Sequence, residues 1–211
     1  MTEYLIPTKE AEASFVEKRS EFIGHVAVVE REEEARAFID AVKKHHYDAR
    51  HNCWCYRLRE GGVERYSDDA EPQGTAGQPM LGVFQREEVT NVVCVVTRYF
   101  GGILLGAGGL VRAYTEGAKI ALDAAGISVV RRWIEVAARC PYSFFERVKL
   151  EVEGCGGVLG ESEYAADVTV RALLPEGAVE PFRARLTELM AGAAPLEILG
   201  EAYKAVPRAE R

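Results

Sequence analysis

A loop rich in carboxylates is the first segment of this sequence that could carry chemistry. It covers residues 67–79, and its candidate functional residues are Asp68, Asp69, Glu71, Gly74 and Thr75. Carboxylates bind hard cations, and in pairs they act as general acid and base. The same residue types also shape tight turns, because Asp side chains bond nearby backbone N–H groups. We expect this loop to line a binding surface, with a catalytic or cation-binding role as the alternative.

A glycine-rich segment at residues 100–109 could bind an anion through its backbone. The anion-binding candidates there are Arg98, Gly101, Gly102, Gly108, Gly109 and Arg112. Free N–H groups between a strand and a helix hold phosphate, and arginines add charge-assisted contacts. The spacing matches neither the Walker motif nor the dinucleotide fingerprint, so an RNA backbone is favoured over a nucleotide substrate. The alternative is that the glycines only permit a sharp turn and close helix–strand packing.

Histidine and cysteine form a third candidate group. His51, Cys53 and Cys55 alternate along a predicted strand, so they point to one face. Their spacing lacks the Cys-x₂-Cys pairs of zinc knuckles, and nothing marks a nucleophile elbow. We expect buried core cysteines, no bound metal and no cofactor. His51 stays a candidate for the surface beside the carboxylate loop.

Basic and aromatic residues are interleaved in the same half of the chain. From Lys43 to Arg59 there are five basic residues against one acid, with Tyr47, Trp54 and Tyr56 among them. From residue 98 to residue 132 there are five basic residues against two acids. Phosphates and stackable bases make single-stranded RNA a fitting partner for such a pattern. A solvated face combined with core aromatics is the alternative.

Bulk composition limits the function classes. The 211 residues carry a net charge of −7, which argues against a dedicated duplex-DNA binder. The sequence shows neither a secretory signal nor an apolar run long enough to span a bilayer. An odd number of cysteines, five, favours reduced thiols. We expect a cytoplasmic protein with no membrane contact.

The periodicity predicts a scaffold of two parts. In the first, strands at about residues 11–18 and 21–29, a helix at 31–47 and a strand at 50–59 precede the carboxylate loop. A buried strand at 91–99 then leads through the glycine-rich segment into a helix that stops at Gly126. In the second part, the predicted order from residue 133 is βαββαβ, with a helix at about 179–191 and a last strand at 196–203. This order is the ferredoxin-like arrangement.

Two segments together resemble a known family. They are Ser-Asp-Asp-Ala-Glu-Pro-Gln-Gly-Thr-Ala-Gly-Gln-Pro at residues 67–79 and Val-Thr-Arg-Tyr-Phe-Gly-Gly-Ile-Leu-Leu-Gly-Ala-Gly-Gly-Leu-Val-Arg-Ala-Tyr at residues 96–114. In this order they resemble the signature of the IMPACT family in its bacterial, YigZ-like form. His51 followed by Cys53-Trp54 is similar to that family as well.

The resemblance implies a two-domain α+β fold. Residues 1–132 would form an N-terminal α+β domain similar to a ribosomal-protein-like domain of the translocating elongation factors. Residues 133–211 would form a C-terminal domain similar to the ferredoxin-like domains of the same factors. Eukaryotic relatives regulate translation in the pathway that senses amino-acid starvation, partly through an extra RWD domain. This chain has no room for that domain, so the eukaryotic partner is not carried over, and no reaction is carried over from the bacterial members.

These observations lead to one expected function and two alternatives. We expect a cytosolic, non-catalytic regulator of translation that associates with RNA or the ribosome. The first alternative is an enzyme, a hydrolase or phosphate-handling protein, that uses Asp68, Asp69, Glu71 and Arg98. The second is a regulator that binds a protein partner without touching nucleic acid. The oligomeric state is left open.

Overall fold

The fold consists of two compact units. A computed structural model describes residues 3–190, 192 and 196–208. Among the described residues, one unit contains Tyr4–Val129 together with Ala205–Arg208, and the other contains Glu3 and residues of Val130–Lys204. Within the described residues there are two sheets and five α-helices. The predicted two-domain α+β class is therefore confirmed.

The first unit is built on an antiparallel sheet. The first six strands of the chain are β1 (Tyr4–Pro7), β2 (Ala11–Glu17), β3 (Ser20–Val28), β4 (His51–Arg57), β5 (Glu64–Ser67) and β6 (Val92–Tyr99), and this sheet is formed by β2 to β6. The sheet order is β2-β3-β6-β4-β5, so β6 is central. Its run of β-branched residues is buried on both faces, as the sequence predicts. The pairing of β4 with β6 places His51 directly opposite Arg98.

Helices cover both faces of this sheet. They are α1 (Glu32–His45), α2 (Gly77–Arg86) and α3 (Ala107–Ala125). The apolar stripe of α1, including Ala35 and Ile39, packs on the face that carries Val93 and Val95. Residues of α2 and α3 pack on the opposite face, against Cys53, Cys55 and Cys94. Acidic residues in the first turn of α1 and basic residues in its last turn match the helix dipole.

Two boundaries differ from the sequence prediction. The predicted loop at residues 67–79 ends early, because α2 begins at Gly77. Pro79 is tolerated there, since a first-turn N–H has no partner within the helix. The glycine-rich segment also ends early: Gly106 is the N-cap of α3, so Gly108 and Gly109 belong to the first turn of that helix.

The second unit has the predicted βαββαβ order. Its elements are β7 (Ile127–Cys140), α4 (Phe145–Gly154), β8 (Val158–Tyr164), β9 (Val168–Pro175), α5 (Val179–Leu189) and β10 (Leu196–Pro207). Strand β8 pairs with β9, β9 pairs with β7, and β10 also pairs with β7. Alternate residues of β9, from Val168 to Leu174, are buried beneath α4 and α5. This is the ferredoxin-like arrangement.

The second unit also departs from the prediction at its ends. Strand β7 begins at Ile127, before the predicted start at residue 133, and the chain passes from one unit to the other within this strand. Helix α5 ends at Leu189, and the predicted helix end at Ala191 lies outside the described residues. None of the described helices combines the length and the apolar composition needed to cross a membrane.

Candidate functional site

The carboxylate loop and the glycine-rich segment border the same cavity. Its volume is about 500 Å³, and we call it the main cavity. It is lined by Arg50, His51, Glu71, Pro72, Arg98, Phe100, Leu104, Leu105, Gly106, Ala107 and Leu110. The structure therefore brings together His51, one carboxylate of the loop and the N-terminal end of α3, which the sequence left as separate features.

A buried ion pair joins the loop to the central strand. Arg98 Nη1 lies 2.6 Å from Glu71 Oε1, and the Tyr114 hydroxyl donates to the same oxygen at 2.8 Å. Only 8% of Glu71 and 5% of Arg98 is exposed. Burial, with the nearby Cys53 thiol and Glu71 carboxylate, raises the pKa of Tyr114 well above its usual range, so this hydroxyl remains a donor. The two donors fix the position of the Glu71 side chain at the edge of the cavity.

The guanidinium of Arg98 is surrounded by protein groups. Its Nη2 lies 3.4 Å from Ser20 Oγ, and its centre lies 5.4 Å from the ring of Phe22 and 5.5 Å from that of Phe100. Its Nε is buried without a hydrogen-bond partner among the described residues. Arg98 therefore forms part of the cavity wall and is not an exposed cation.

His51 has a fixed orientation beside this pair. Its Nδ1 lies 2.8 Å from the carbonyl oxygen of Asp69, so Nδ1 carries a proton and donates it. In the neutral ring Nε2 is then an acceptor. Its distance of 3.8 Å from Glu71 Oε1 is too long for a hydrogen bond. The ring thus presents an unfilled acceptor at the main cavity.

The side chain of Asp68 caps the N-terminal end of α2 from outside the helix. Its Oδ1 accepts from the backbone N–H groups of Ala76 at 3.1 Å and Gly77 at 2.8 Å, and its Oδ2 accepts from that of Gly74 at 2.8 Å. These bonds satisfy N–H groups at the start of α2, where a negative charge is also favoured by the helix dipole. The carboxylate is occupied by backbone and does not line the main cavity.

Asp69 and Thr75 also have structural partners. Asp69 accepts from Lys43 Nζ at 2.8 Å and from the backbone N–H of Asn52 at 2.7 Å. The Thr75 hydroxyl donates to the Pro72 carbonyl at 2.6 Å. Of the loop carboxylates, Glu71 alone lines the main cavity. Among the residues that the structure describes, no group of three or more His, Cys, Asp or Glu is arranged to hold a metal ion.

The glycines of the segment have different roles. A Cβ on Gly101 would lie 2.0 Å from the carbonyl carbon and oxygen of Arg19, so this position requires glycine. Its N–H donates to Ser20 Oγ at 3.2 Å. Gly102 and Gly106 have φ values of 84° and 74°, in the left-handed region. None of the side chains that the structure describes caps α3, so its first-turn N–H groups beside the main cavity have no side-chain acceptor among them.

Arg112 does not reach the main cavity. It lines a second cavity of about 360 Å³, on another side of α3. This second cavity is lined by Phe15, Glu17, Lys18, Leu105, Gly109, Arg112, Ala113 and Glu116. Because Leu105 lines both cavities, they are neighbours around the start of α3. Arg98 and Arg112 therefore do not converge on one ligand, contrary to the prediction from the sequence spacing.

Several members of the basic and aromatic pattern have structural partners. Arg57 Nε pairs with Glu64 at 2.7 Å, and Lys43 pairs with Asp69. The rings of Trp54 and Tyr56 stack at 5.7 Å against the core beneath α1. The exposed members are Lys44, Tyr47, Arg50 and Arg59. Of these, Arg50 lies 5.8 Å above the ring of Phe100 and Arg59 lies 4.2 Å above the ring of Tyr4. The pattern overestimated the exposed basic surface of this segment.

Sequence reasoning missed four contributors to the site. Tyr114 and Ser20 are distant in sequence from the residues they bond, and no local pattern marks them. Leu104 is 82% exposed and Phe100 38% exposed, in a segment whose sequence points mainly to its glycines. Two exposed apolar residues beside a glycine turn could have been recognised as a contact surface.

Comparisons with known proteins agree with this structure. The family described as "Impact N-terminal domain" matches residues 18–122, and a domain of unknown function, DUF1949, matches residues 139–193. The chain is 36% identical over 206 residues to IMPACT family member YigZ of Escherichia coli (strain K12), covering 95% of this chain and 100% of that protein. It is 36% identical over 191 residues to IMPACT family member YvyE of Bacillus subtilis (strain 168), covering 90% and 88%.

More distant and structural matches point the same way. Protein IMPACT homolog of Dictyostelium discoideum is 36% identical over 105 residues, which are 48% of this chain and 30% of that protein. A solved structure described as a crystal structure of an hypothetical protein is 35% identical, with a TM-score of 0.59. That match covers 93% of this chain and 97% of the other.

Proposed function

Because the chain belongs to the IMPACT family, we propose that it is a cytoplasmic regulator of translation that binds single-stranded RNA, alone or on the ribosome. The resemblance implies translation regulation for the eukaryotic members. The contact surface would be the start of α3 with its two neighbouring cavities, which we call the α3 surface. The C-terminal ferredoxin-like unit would help to dock the protein.

The observation that carries this proposal is a set of exposed cations around the α3 surface. They are Lys18, Arg19, Arg50 and Arg112. None of the four has an ion-pair partner among the described residues, in contrast to Lys43 and Arg57. Unpaired cations next to uncapped helical N–H groups are suited to phosphate. Although the net charge of the chain is −7, this local group of cations can attract a phosphate, because attraction depends on where the charges lie.

The strained turn between β2 and β3 adds to this argument. Lys18 and Arg19 have φ values of 46° and 65°, the left-handed conformation that Asn and Gly adopt at lower cost. The backbone of Arg19 is fixed there by contact with Gly101. Two basic side chains thus occupy positions where turn chemistry alone would favour other residues. Their charge beside the α3 surface gives a functional reason for the choice.

Exposed apolar groups favour RNA with unpaired bases. Phe100 and Leu104 stand at the rim of the main cavity, next to Arg50. Aromatic and cationic side chains together bind single strands, because bases stack on rings while phosphates meet the cations. Duplexes bury the faces of their bases and would leave Phe100 without a partner.

An enzymatic role is less well supported by the same geometry. Asp68 and Asp69 are held by backbone and lysine partners, and Arg98 is held by Glu71. Burial raises the pKa of Cys53 far above its usual range, so its thiol is not a nucleophile near neutral pH. These groups stabilise the site and leave no activated nucleophile.

Co-sedimentation with ribosomes across a salt series tests the proposal. Binding should weaken as salt rises, because phosphate contacts release counterions. Arg50→Ala and Arg112→Ala should each weaken it. Arg86→Ala is the matched control, since Arg86 is exposed, lies in the same unit and lines neither cavity. Absence of binding at low salt to both ribosomes and single-stranded oligoribonucleotides would overturn the proposal.

A further inference from the structure

The main cavity has two hydrogen-bond acceptors that no described residue satisfies. Glu71 Oε1 accepts from Arg98 and Tyr114, whereas Oε2 has no donor among the described residues. His51 Nε2 is an acceptor in the neutral ring, because Nδ1 donates to the Asp69 carbonyl. Both side chains line the cavity. A ligand that enters the cavity displaces water from these two acceptors, so a ligand with matching donors gains affinity over one that leaves them unpaired.

The position of both acceptors is set by the fold. Glu71 is held by two hydrogen bonds to one oxygen, and His51 is held through its other ring nitrogen. Neither side chain has to reorganise to receive a ligand. Such preorganised groups discriminate strongly between ligands, because the wrong ligand leaves them unpaired.

The remaining walls suit a flat aromatic ligand with an anionic end. Leu105 and Leu110 are apolar, and Phe100 offers a ring at the rim. Gly106 and Ala107 place the uncapped start of α3 on the same cavity. The volume of about 500 Å³ lies within the range of small-molecule sites. A nucleobase fits against the apolar walls while its phosphate meets the helix N–H groups.

The acceptors select among the four bases. On its pairing edge guanine presents two adjacent donors, the ring N1–H and the exocyclic amino group. Adenine and cytosine present one amino donor beside a ring acceptor, and uracil presents one ring donor between two acceptors. Two neighbouring protein acceptors therefore match guanine and oppose the other bases. We propose that the main cavity is a guanine-selective subsite for single-stranded RNA, an inference that rests on the proposed function.

The test uses uridine octamers that carry one central guanosine, adenosine, cytidine or inosine, with affinity measured by fluorescence anisotropy. The guanosine octamer should bind about tenfold more tightly than those with adenosine or cytidine. Inosine keeps N1–H but lacks the amino group, so it should lose most of this advantage. This comparison changes the RNA alone and does not depend on how a variant folds.

Two variants locate the selectivity. His51→Leu removes one acceptor and should reduce the guanosine preference at least threefold, roughly half of a tenfold effect on a logarithmic scale. Arg112→Ala lies outside the main cavity and should weaken all octamers equally, leaving the preference unchanged. Equal affinity for all octamers, with salt-sensitive binding intact, would overturn the guanine subsite and leave the proposed function standing. Absence of binding to every octamer and to ribosomes would overturn the proposed function and this inference with it.

Discussion

Glu71 and Arg98, 27 positions apart in sequence, form a buried ion pair with 2.6 Å between Oε1 and Nη1. The pair fastens the carboxylate loop to the central strand β6, and it forms one wall of the main cavity. Because Arg98 is buried and paired with Glu71, it is not an exposed cation that could bind a phosphate. The first consequence of the ion pair concerns the stability of the fold.

Removing one partner of this pair should destabilise the N-terminal unit. Glu71→Ala or Arg98→Ala leaves a buried charge uncompensated, and we expect each to reduce the free energy of unfolding by about 3–5 kcal/mol. The double variant should lose less than the sum, since the remaining charge is absent. Urea unfolding followed by circular dichroism measures these values. Single variants as stable as the wild type would show that the pair contributes nothing. Arg98→Ala is consequently unsuited as a test of RNA contact.

The cap formed by Asp68 gives a smaller effect. Asp68→Ala removes the acceptors of Gly74, Ala76 and Gly77, and we expect a loss of about 1–2 kcal/mol in the free energy of unfolding. Asp68→Asn keeps one carbonyl acceptor and should lose less. Thermal or urea unfolding of the three proteins provides the comparison. An alanine variant that matches the asparagine variant would contradict the capping role.

Gly101 should tolerate no side chain. An alanine Cβ would collide with the backbone of Arg19, so Gly101→Ala should cost more than about 2 kcal/mol of stability. Gly102→Ala meets open space but keeps a left-handed φ, and should cost about 1 kcal/mol. Gly200→Ala, in open space and without a positive φ, is the control for glycine replacement. Equal effects of the first two changes would argue against the close approach at Gly101.

A pair of buried histidines predicts acid sensitivity. The rings of His25 and His46 lie 5.1 Å apart, and the Nε2 atom of each is buried without a hydrogen-bond partner among the described residues. Burial is the main cause that lowers the pKa of His25 to about 4, against an opposing effect of Glu12, and it also lowers the pKa of His46. Both rings are therefore neutral in the folded protein at neutral pH.

The sign of the effect follows from these shifts. Between the ordinary value of 6.5 and about 4, the unfolded His25 binds a proton that the folded one does not, so stability falls as pH decreases through this window. At a pH of about 4, His25 should have reduced the free energy of unfolding by about 3 kcal/mol relative to neutral pH. Unfolding measured at pH 7 and pH 5 should show a smaller loss for His25→Gln than for the wild type. An equal loss in both proteins would contradict the prediction.

The sequence predicted elements whose local pattern is strong. The apolar stripe of α1 was sufficient to predict a helix, because only one face of that helix is buried. The β-branched run of β6 was sufficient to predict a central strand, because that strand is buried on both faces. Helix α2 was missed, since Gly77, Pro79 and Gly82 are typical of a loop. Its start depends on the cap from Asp68, nine positions before Gly77, which no local rule identifies.

The candidate site could be predicted only in part. Local spacing marked the carboxylate loop and the glycine-rich segment, and the fold places both at the main cavity. It could not show which charges are neutralised, because the partners of Arg98, Lys43 and Arg57 come from other elements. Local spacing also does not point to the exposed cations Lys18 and Arg19, because they lie about 80 residues before Gly101, which the backbone of Arg19 approaches closely.

Salt dependence of RNA binding by the α3 surface is the most direct test of the central claim. The affinity for an unstructured oligoribonucleotide should fall linearly with salt on logarithmic axes, and each lost phosphate contact should reduce the slope by about 0.7. Arg50→Ala and Arg112→Ala should each show this reduction, whereas Arg86→Ala should keep the wild-type slope. Identical slopes for all four proteins, or no binding at low salt, would contradict the account.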